Sequence, residues 1–458
     1  MNSRFFFAFA LAFVLLSSSA SALMNSCTYE AKNSMPVPAV SGNGDYGRLI
    51  TLENEIREGS GGMYFSVLPV VGAHTQLSEQ VAIAIAMGES GYDKDTCDVL
   101  FRITSSEGAE SVDGPSAGAA MTLLLISNLQ NKTMRANVSI TGTIERDGSI
   151  GAVGGVVEKT KAAAEKGIKV MLVPQQGIYE RIAFAELEGK WPIRVVEVSS
   201  IEEAQSVVFA SEETPLPEPK KLARNALPDV TALAETNSSE MKAFEKIARK
   251  MIEKSEQEID GITGSENARV QDFRAYFENE LEIANTLVEK RFFYTGANTA
   301  FLAWADAKFL KNHEVTESAL NLRVERVRVC LNSLEKPALN LNNAEFVFGG
   351  EAREVWARDK VESFDGVEGK GEEELLSTLR DLIYAENWCW VANEMYKAGD
   401  DYEGEELNES LLKGYAQRRI EEAQNYSSVY SEDVNGDAES HIKTAKLAYE
   451  REYYGGAV

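Results

Sequence analysis

The sequence predicts an α+β domain followed by an all-α domain. Three observations carry this: short β-branched runs alternate with helical stretches up to residue 210, spaced prolines fill 211–228, and helical periodicity takes over from 229. The expected division is a leader at 1–22, a polar lead at 23–46, the α+β domain at 47–210, a linker at 211–228 and the helical domain at 229–458.

The first residues read as a secretory signal peptide, with Arg4, an apolar run from Phe5 to Leu16 and a small-residue site at Ala20-Ser21-Ala22. An uncleaved membrane anchor is the rival, because Leu23 and Met24 extend the apolar run. Ser17-Ser18-Ser19 weakens that rival, since a span wants roughly 20 strongly apolar residues. In both readings Arg4 stays on the cytoplasmic side, so the body is expected outside the cytoplasm, secreted or membrane-anchored.

Beyond the lead, Arg48–Ile56 and Gly62–Val71 read as two strands of a hairpin joined through Glu58-Gly59-Ser60-Gly61. Ser78–Met87 reads as helix and Asp98–Thr104 as strand. Ser116 is expected to open a helix running through Leu125, with Pro115 in its first turn. Asn137–Ile144 reads as a strand closed by the Asp147-Gly148 turn. Lys159 is expected to begin a helix that Gly167 ends, and the strands Lys169–Val173 and Ile193–Val198 flank a helix at Tyr179–Leu187. Pro215, Pro217 and Pro219 make the linker semi-rigid.

In the helical domain Met241, Phe244, Ala248, Met251 and Ile252 recur at helical spacing. Phe273, Phe277, Leu281, Ala284 and Leu287 do the same, as do Leu375, Leu379, Ile383 and Trp388. About seven helices fit the segment, with no repeat of fixed period.

Charge bounds the partners. A net charge of -26 and a pI near 4.7 argue against a nucleic-acid partner, since binding a phosphate backbone needs a basic face. Four cysteines allow three pairings; Cys27–Cys97 and Cys330–Cys389 are preferred as domain-local bridges, against four buried thiols. Asp433-Val434-Asn435-Gly436-Asp437 lacks the glycine position and bidentate glutamate of a calcium loop and reads as a helix-capping turn. No cofactor is expected.

The chemistry concentrates in two short segments, Asp113-Gly114-Pro115-Ser116-Ala117-Gly118 and Gly154-Gly155-Val156-Val157-Glu158-Lys159. A serine hydroxyl is nearly inert at neutral pH and needs a neighbour to take its proton; a lysine does so when burial keeps it neutral. Gly114-Pro115-Ser116-Ala117-Gly118 also fits the G-x-S-x-G elbow of α/β-hydrolases. That fold needs a histidine downstream of the serine, and of His74, His313 and His441 only the latter two follow it, both in helical sequence.

Taken with Ile140-Thr141-Gly142-Thr143-Ile144, Gly148–Gly155 and Gly167–Pro174, these segments resemble in order and spacing the proteolytic domain of the Lon family, the Ser/Lys-dyad peptidases, over about 47–210. The resemblance implies Ser116 as nucleophile, Lys159 as general base and Thr141 as the hydroxyl supporting the lysine. Val157 stands where a second lysine is common, which leaves Lys159 as the base. Backbone N–H groups of Ser116 and Ala117 are the expected oxyanion donors; Asp113 and Glu107 tune the site or cap the loop, a structural role being favoured for Asp113. Polypeptide substrates and homo-oligomers follow from the same likeness. Family members usually carry an ATPase, yet these residues hold no G-x-x-x-x-G-K-[ST] motif, so an ATP-independent endopeptidase is expected. The alternative is a catalytically inactive scaffold acting through its helical domain.

Overall fold

The computed structural model describes residues 25–41, 46–66, 70–104, 111–234, 238–262, 267–312, 315–427 and 435–457. The signal-peptide segment, Glu107, His313 and the Asp433-Val434 part of the capping turn lie outside the described residues. Two compact units form. One comprises the chain to Gln176 with Lys190–Pro219, and the other comprises Gly177–Gly189 with Lys220–Val458.

The first unit opens with strands β1 (Ala31–Val40), β2 (Gly47–Glu58), β3 (Met63–Phe65) and β4 (Val70–Val71), then helix α1 (Ala73–Ser90) and strands β5 (Cys97–Thr104) and β6 (Ser111–Val112). A single 3-10 turn, Pro115–Ala117, leads into α2 (Gly118–Gln130), followed by β7 (Val138–Ile140), β8 (Thr143–Ile144), β9 (Ile150–Gly151), α3 (Val156–Glu165) and β10 (Val170–Pro174). After α4 (Ile178–Lys190), which lies almost wholly in the second unit, come β11 (Arg194–Val198) and α5 (Ile201–Val208).

The main sheet has the order β1-β2-β5-β3. Ile50, Leu52 and Ile56 on β2 and Val99, Phe101 and Ile103 on β5 are buried at alternate positions, the period-two pattern of a strand with one core face. Helix α2 is different: all residues from Gly118 to Leu129 are buried, as in a helix at the centre of a core. A second sheet, β11-β10-β7, is parallel, and every residue of β10 is buried.

Two expectations fail here. The single strand expected over Asn137–Ile144 divides at Thr141-Gly142 into β7, in the parallel sheet, and β8, which pairs with β9. The hairpin of 48–56 with 62–71 does not form: β3 pairs in parallel with β5 (Met63↔Val99), and the residues around it split into β3 and β4. The sheet gives β2 its partners from β1 and β5 instead, because both bury alternating apolar faces. The polar lead, to which the sequence assigns no element, supplies a full strand, Ala31–Val40. Pro36 and Pro38 hide it in the sequence. Both are tolerated on an edge strand, and the Pro36 carbonyl accepts from Ser139 Oγ at 2.9 Å on the side away from β2.

The second unit adds eight helices among the described residues, against the seven expected: α6 (Ser239–Asp260), α7 (Ala268–Glu289), α8 (Phe293–Lys311), α9 (Glu317–Asn332), α10 (Ala344–Glu362), α11 (Glu372–Asp400), α12 (Glu409–Ser427) and α13 (Asn435–Glu450). Ser238, Asn267 and Thr316 cap α6, α7 and α9 through side-chain oxygens. Helix α4 is fixed to this unit by polar contacts. Tyr179 Oη donates to Asp306 Oδ1 at 2.8 Å, and the buried Arg269 Nε donates to Glu188 Oε2 at 3.0 Å.

Cys27 is bonded to Cys97 in the first unit and Cys330 to Cys389 in the second. No helix of the described residues is long and apolar enough to cross a membrane.

Candidate active site

The turn that carries Ser116 starts at Gly114, whose φ of 135° belongs to a region side chains avoid. Pro115, Ser116 and Ala117 then make the 3-10 turn, and α2 begins at Gly118, two residues later than expected. Ser116 is partly exposed.

Three successive carbonyls of this turn are tied down by hydroxyls from other elements. Thr75 Oγ1 donates to Gly114 O at 3.0 Å and Ser78 Oγ to Pro115 O at 3.2 Å, both from α1. Thr141 Oγ1, just after β7, donates to Ser116 O at 3.4 Å, and Gly142 N donates to the same oxygen at 2.9 Å. A trans peptide points its N–H opposite to its C=O. The N–H groups of Ser116 and Ala117 are therefore aimed away from α1 and from the Thr141 corner. Close approach is needed for this, and a Cβ on Gly118 would lie 2.4 Å from Ser78 Oγ.

Asp113 secures the same turn from its other end. Its Oδ1 accepts from the backbone N–H groups of His74 (3.1 Å), Thr75 (3.3 Å) and Gly114 (3.0 Å), and its Oδ2 lies 3.0 Å from His74 Nδ1. Helix α1 begins after Gly72, which offers no capping side chain, so Asp113 caps it from a distant part of the chain. The His74 imidazole foremost, with the Thr75 and Gly114 N–H groups, holds the Asp113 carboxyl below its usual range against desolvation.

Lys159 sits on α3, buried to 3% exposure. The helix starts at Val156, not at Lys159, because Gly155 adopts φ 63° and ends the preceding loop; Lys159 N then donates to Gly155 O at 3.0 Å as the first helical bond. Helix α3 packs against β1, β2 and β10. The Thr141 corner is tied to β10 as well, since Thr141 N donates to Leu172 O at 3.1 Å. Thr141 itself is fully buried.

Sequence reasoning missed the part played by α1. Thr75, Ser78, Glu79 and Ala82 are all buried at i, i+3, i+4 and i+7, so polar groups occupy a core-facing stripe. That stripe was the available signal. Glu79 is buried, its Oε1 has no hydrogen-bond partner, and desolvation pushes its carboxyl up to about 7.

Comparison with known proteins bears on the same stretch. Residues 44–208 match the family model for the Lon protease (S16) C-terminal proteolytic domain. These residues form a Lon-type proteolytic domain. Among similar curated proteins, the Lon protease of Buchnera aphidicola subsp. Acyrthosiphon pisum is 35% identical over 134 residues, 28% of this chain and 17% of the relative. That of Neorickettsia sennetsu is 34% identical over 136 residues, 30% of this chain and 16% of the relative. That of Xanthomonas oryzae pv. oryzae is 28% identical over 199 residues, 42% of this chain and 23% of the relative. The chain spans less than a quarter of the length of these relatives. Ser116, Thr141 and Lys159 all fall inside the Lon-type domain. The eight helices from Ser239 onward lie outside the matched segment.

Proposed function

We propose that this chain is a serine endopeptidase working through Ser116 and Lys159. The Lys159 amine takes the Ser116 proton, Oγ attacks a peptide carbonyl, and the amine returns that proton to the leaving nitrogen as the C–N bond breaks. Water, deprotonated by the same amine, then hydrolyses the acyl-enzyme and regenerates the Ser116 hydroxyl. The role needs a neutral amine, and burial disfavours the charged form of a lysine.

The anchored turn carries this reading. With the carbonyls of Gly114, Pro115 and Ser116 held by Thr75, Ser78 and Thr141, the N–H groups of Ser116 and Ala117 are fixed in direction before substrate arrives. Donors fixed in advance stabilise a developing oxyanion without reorganisation cost.

The peptidase acts without ATP, outside the cytoplasm, on flexible or unfolded polypeptides; assembly into a homo-oligomer rests on the likeness to the Lon family alone. Support comes from the absence of a phosphate-loop motif in these 458 residues, from the apolar run after Arg4, and from two disulfides, which persist in oxidising compartments. The same apolar run supplies whatever membrane association the protein has. Casein digestion without ATP tests the activity: wild type should cleave while Ser116→Ala and Lys159→Ala should not. Equal cleavage by all three would overturn the assignment, and a strict need for added ATP would overturn energy independence.

A further inference from the structure

The second unit contains a cavity of about 150 Å³ between α6, α8, α10 and α11. Its walls include Phe244, Phe293, Phe301, Trp356 and Trp388, and its mouth carries Tyr294, which is 69% exposed. The aromatic walls brace one another: Trp356 and Trp388 ring centroids are 5.3 Å apart, and Phe301 stacks on Trp388 at 6.4 Å. A half-open, mainly aromatic pocket of roughly 150 Å³ has room for one benzene-sized group. It holds a single ring or branched aliphatic side chain, and the rest of any ligand must remain outside.

Arg353 lines the same cavity. One of its five N–H groups donates to Gly349 O at 3.2 Å, and its guanidinium lies 5.3 Å over the Trp356 ring. Among the described residues no carboxylate ion-pairs with it, although the chain carries 72 acidic residues and the neighbouring Glu351 and Glu354 are engaged by Lys336 and Arg358. A guanidinium stacked on a ring, with donors to spare beside an aromatic pocket, is complementary to a carboxylate placed one residue-length from an apolar side chain. That pairing is the chemistry of a polypeptide C-terminus.

We propose that the helical unit binds the C-terminal residue of a polypeptide, its apolar side chain filling the aromatic cavity and its carboxylate accepting from Arg353. In taking a polypeptide as ligand, the proposal rests on the peptidase reading. The pocket then selects by chain end, a recruitment step separate from cleavage at Ser116.

The experiment uses the full chain carrying Ser116→Ala, so that peptides stay intact. Fluorescently labelled peptides ending in phenylalanine, as free acid or as amide, are titrated and followed by anisotropy. The free acid should bind roughly ten-fold or more tightly than the amide, the effect of losing a charge-assisted hydrogen bond. Arg353→Gln should erase that difference, and Ala297→Phe, which fills the cavity, should weaken both peptides. Equal binding of acid and amide, no binding of either, or binding of N-acetylphenylalanine without binding of the peptide would each overturn the proposal. Casein cleavage by protein with intact Ser116 is read in parallel. Its loss would sink the peptidase reading while leaving the anisotropy result to judge the pocket.

Discussion

The Thr141 hydroxyl donates to the carbonyl of Ser116 across 3.4 Å, joining the corner after β7 to the turn that opens α2. Twenty-five residues separate the two in sequence. The bond acts on backbone and not on the serine hydroxyl, so it sets the direction of the peptide plane that carries the Ala117 N–H.

Thr141→Val keeps the shape and removes the donor. Gly142 N still satisfies the Ser116 carbonyl at 2.9 Å, so no acceptor is orphaned and stability should change by less than about 1 kcal/mol. The rate should respond more strongly, because the plane loses one of its two restraints. We expect kcat/KM on a peptide substrate to fall by about ten-fold, with the thermal midpoint nearly unchanged.

Glu79 makes stability depend on pH. Its carboxyl is raised from 4.5 to about 7 by burial, so the folded state holds the proton more tightly than the unfolded state does. The stabilisation linked to this proton is complete below about 4.5 and is lost as pH rises through about 7. A shift of this size is worth up to about 3 kcal/mol. Glu79→Gln should flatten the urea-unfolding free energy over that window and leave the variant the more stable protein at pH 8. A parallel pH dependence in both proteins would show that Glu79 is not the responsible group.

The Cys330–Cys389 bridge closes a loop of 59 residues within the helical unit. Removing a closure of that length should cost about 4 kcal/mol through added freedom of the unfolded chain. The Cys330→Ala, Cys389→Ala double variant should lower the melting transition of the helical unit. Reductant should act on wild type in the same direction and have no such effect on that transition in the variant.

Much of this fold is legible in the sequence wherever burial follows a simple period. The alternation on β2 and β5 and the helical spacing of Phe273, Phe277, Ala284 and Leu287 each translate directly into a buried face. Strand β1 was not legible, because prolines are usually read as breakers and only the edge position of β1 makes Pro36 and Pro38 acceptable. The hairpin failed for a related reason: strand partners are chosen by long-range burial, and Met63↔Val99 pairing cannot be seen from the Gly59-Ser60-Gly61 turn.

At the site, Ser116 and Lys159 stand out through their glycine-flanked segments, which short-range chemistry requires. The supports do not. Asp113 caps a helix that begins 40 residues earlier, at Ala73, and Ser78 bonds a carbonyl 37 positions away. Only the packing of α1 against the turn brings these groups together, and no local pattern encodes that packing beyond the polar stripe on α1. The placement of α4 among the later helices is likewise tertiary, resting on Tyr179–Asp306 and Arg269–Glu188.

The rate at which a fluorophosphonate labels Ser116 tests the central claim most directly, since phosphonylation of Oγ with loss of fluoride depends on the base and on neither substrate choice nor recruitment. Wild type should be labelled on Ser116, and Lys159→Ala should be slower by about 100-fold or more, the contribution of a positioned general base. Labelling of Lys159→Ala at the wild-type rate, or of a residue other than Ser116, would contradict the dyad.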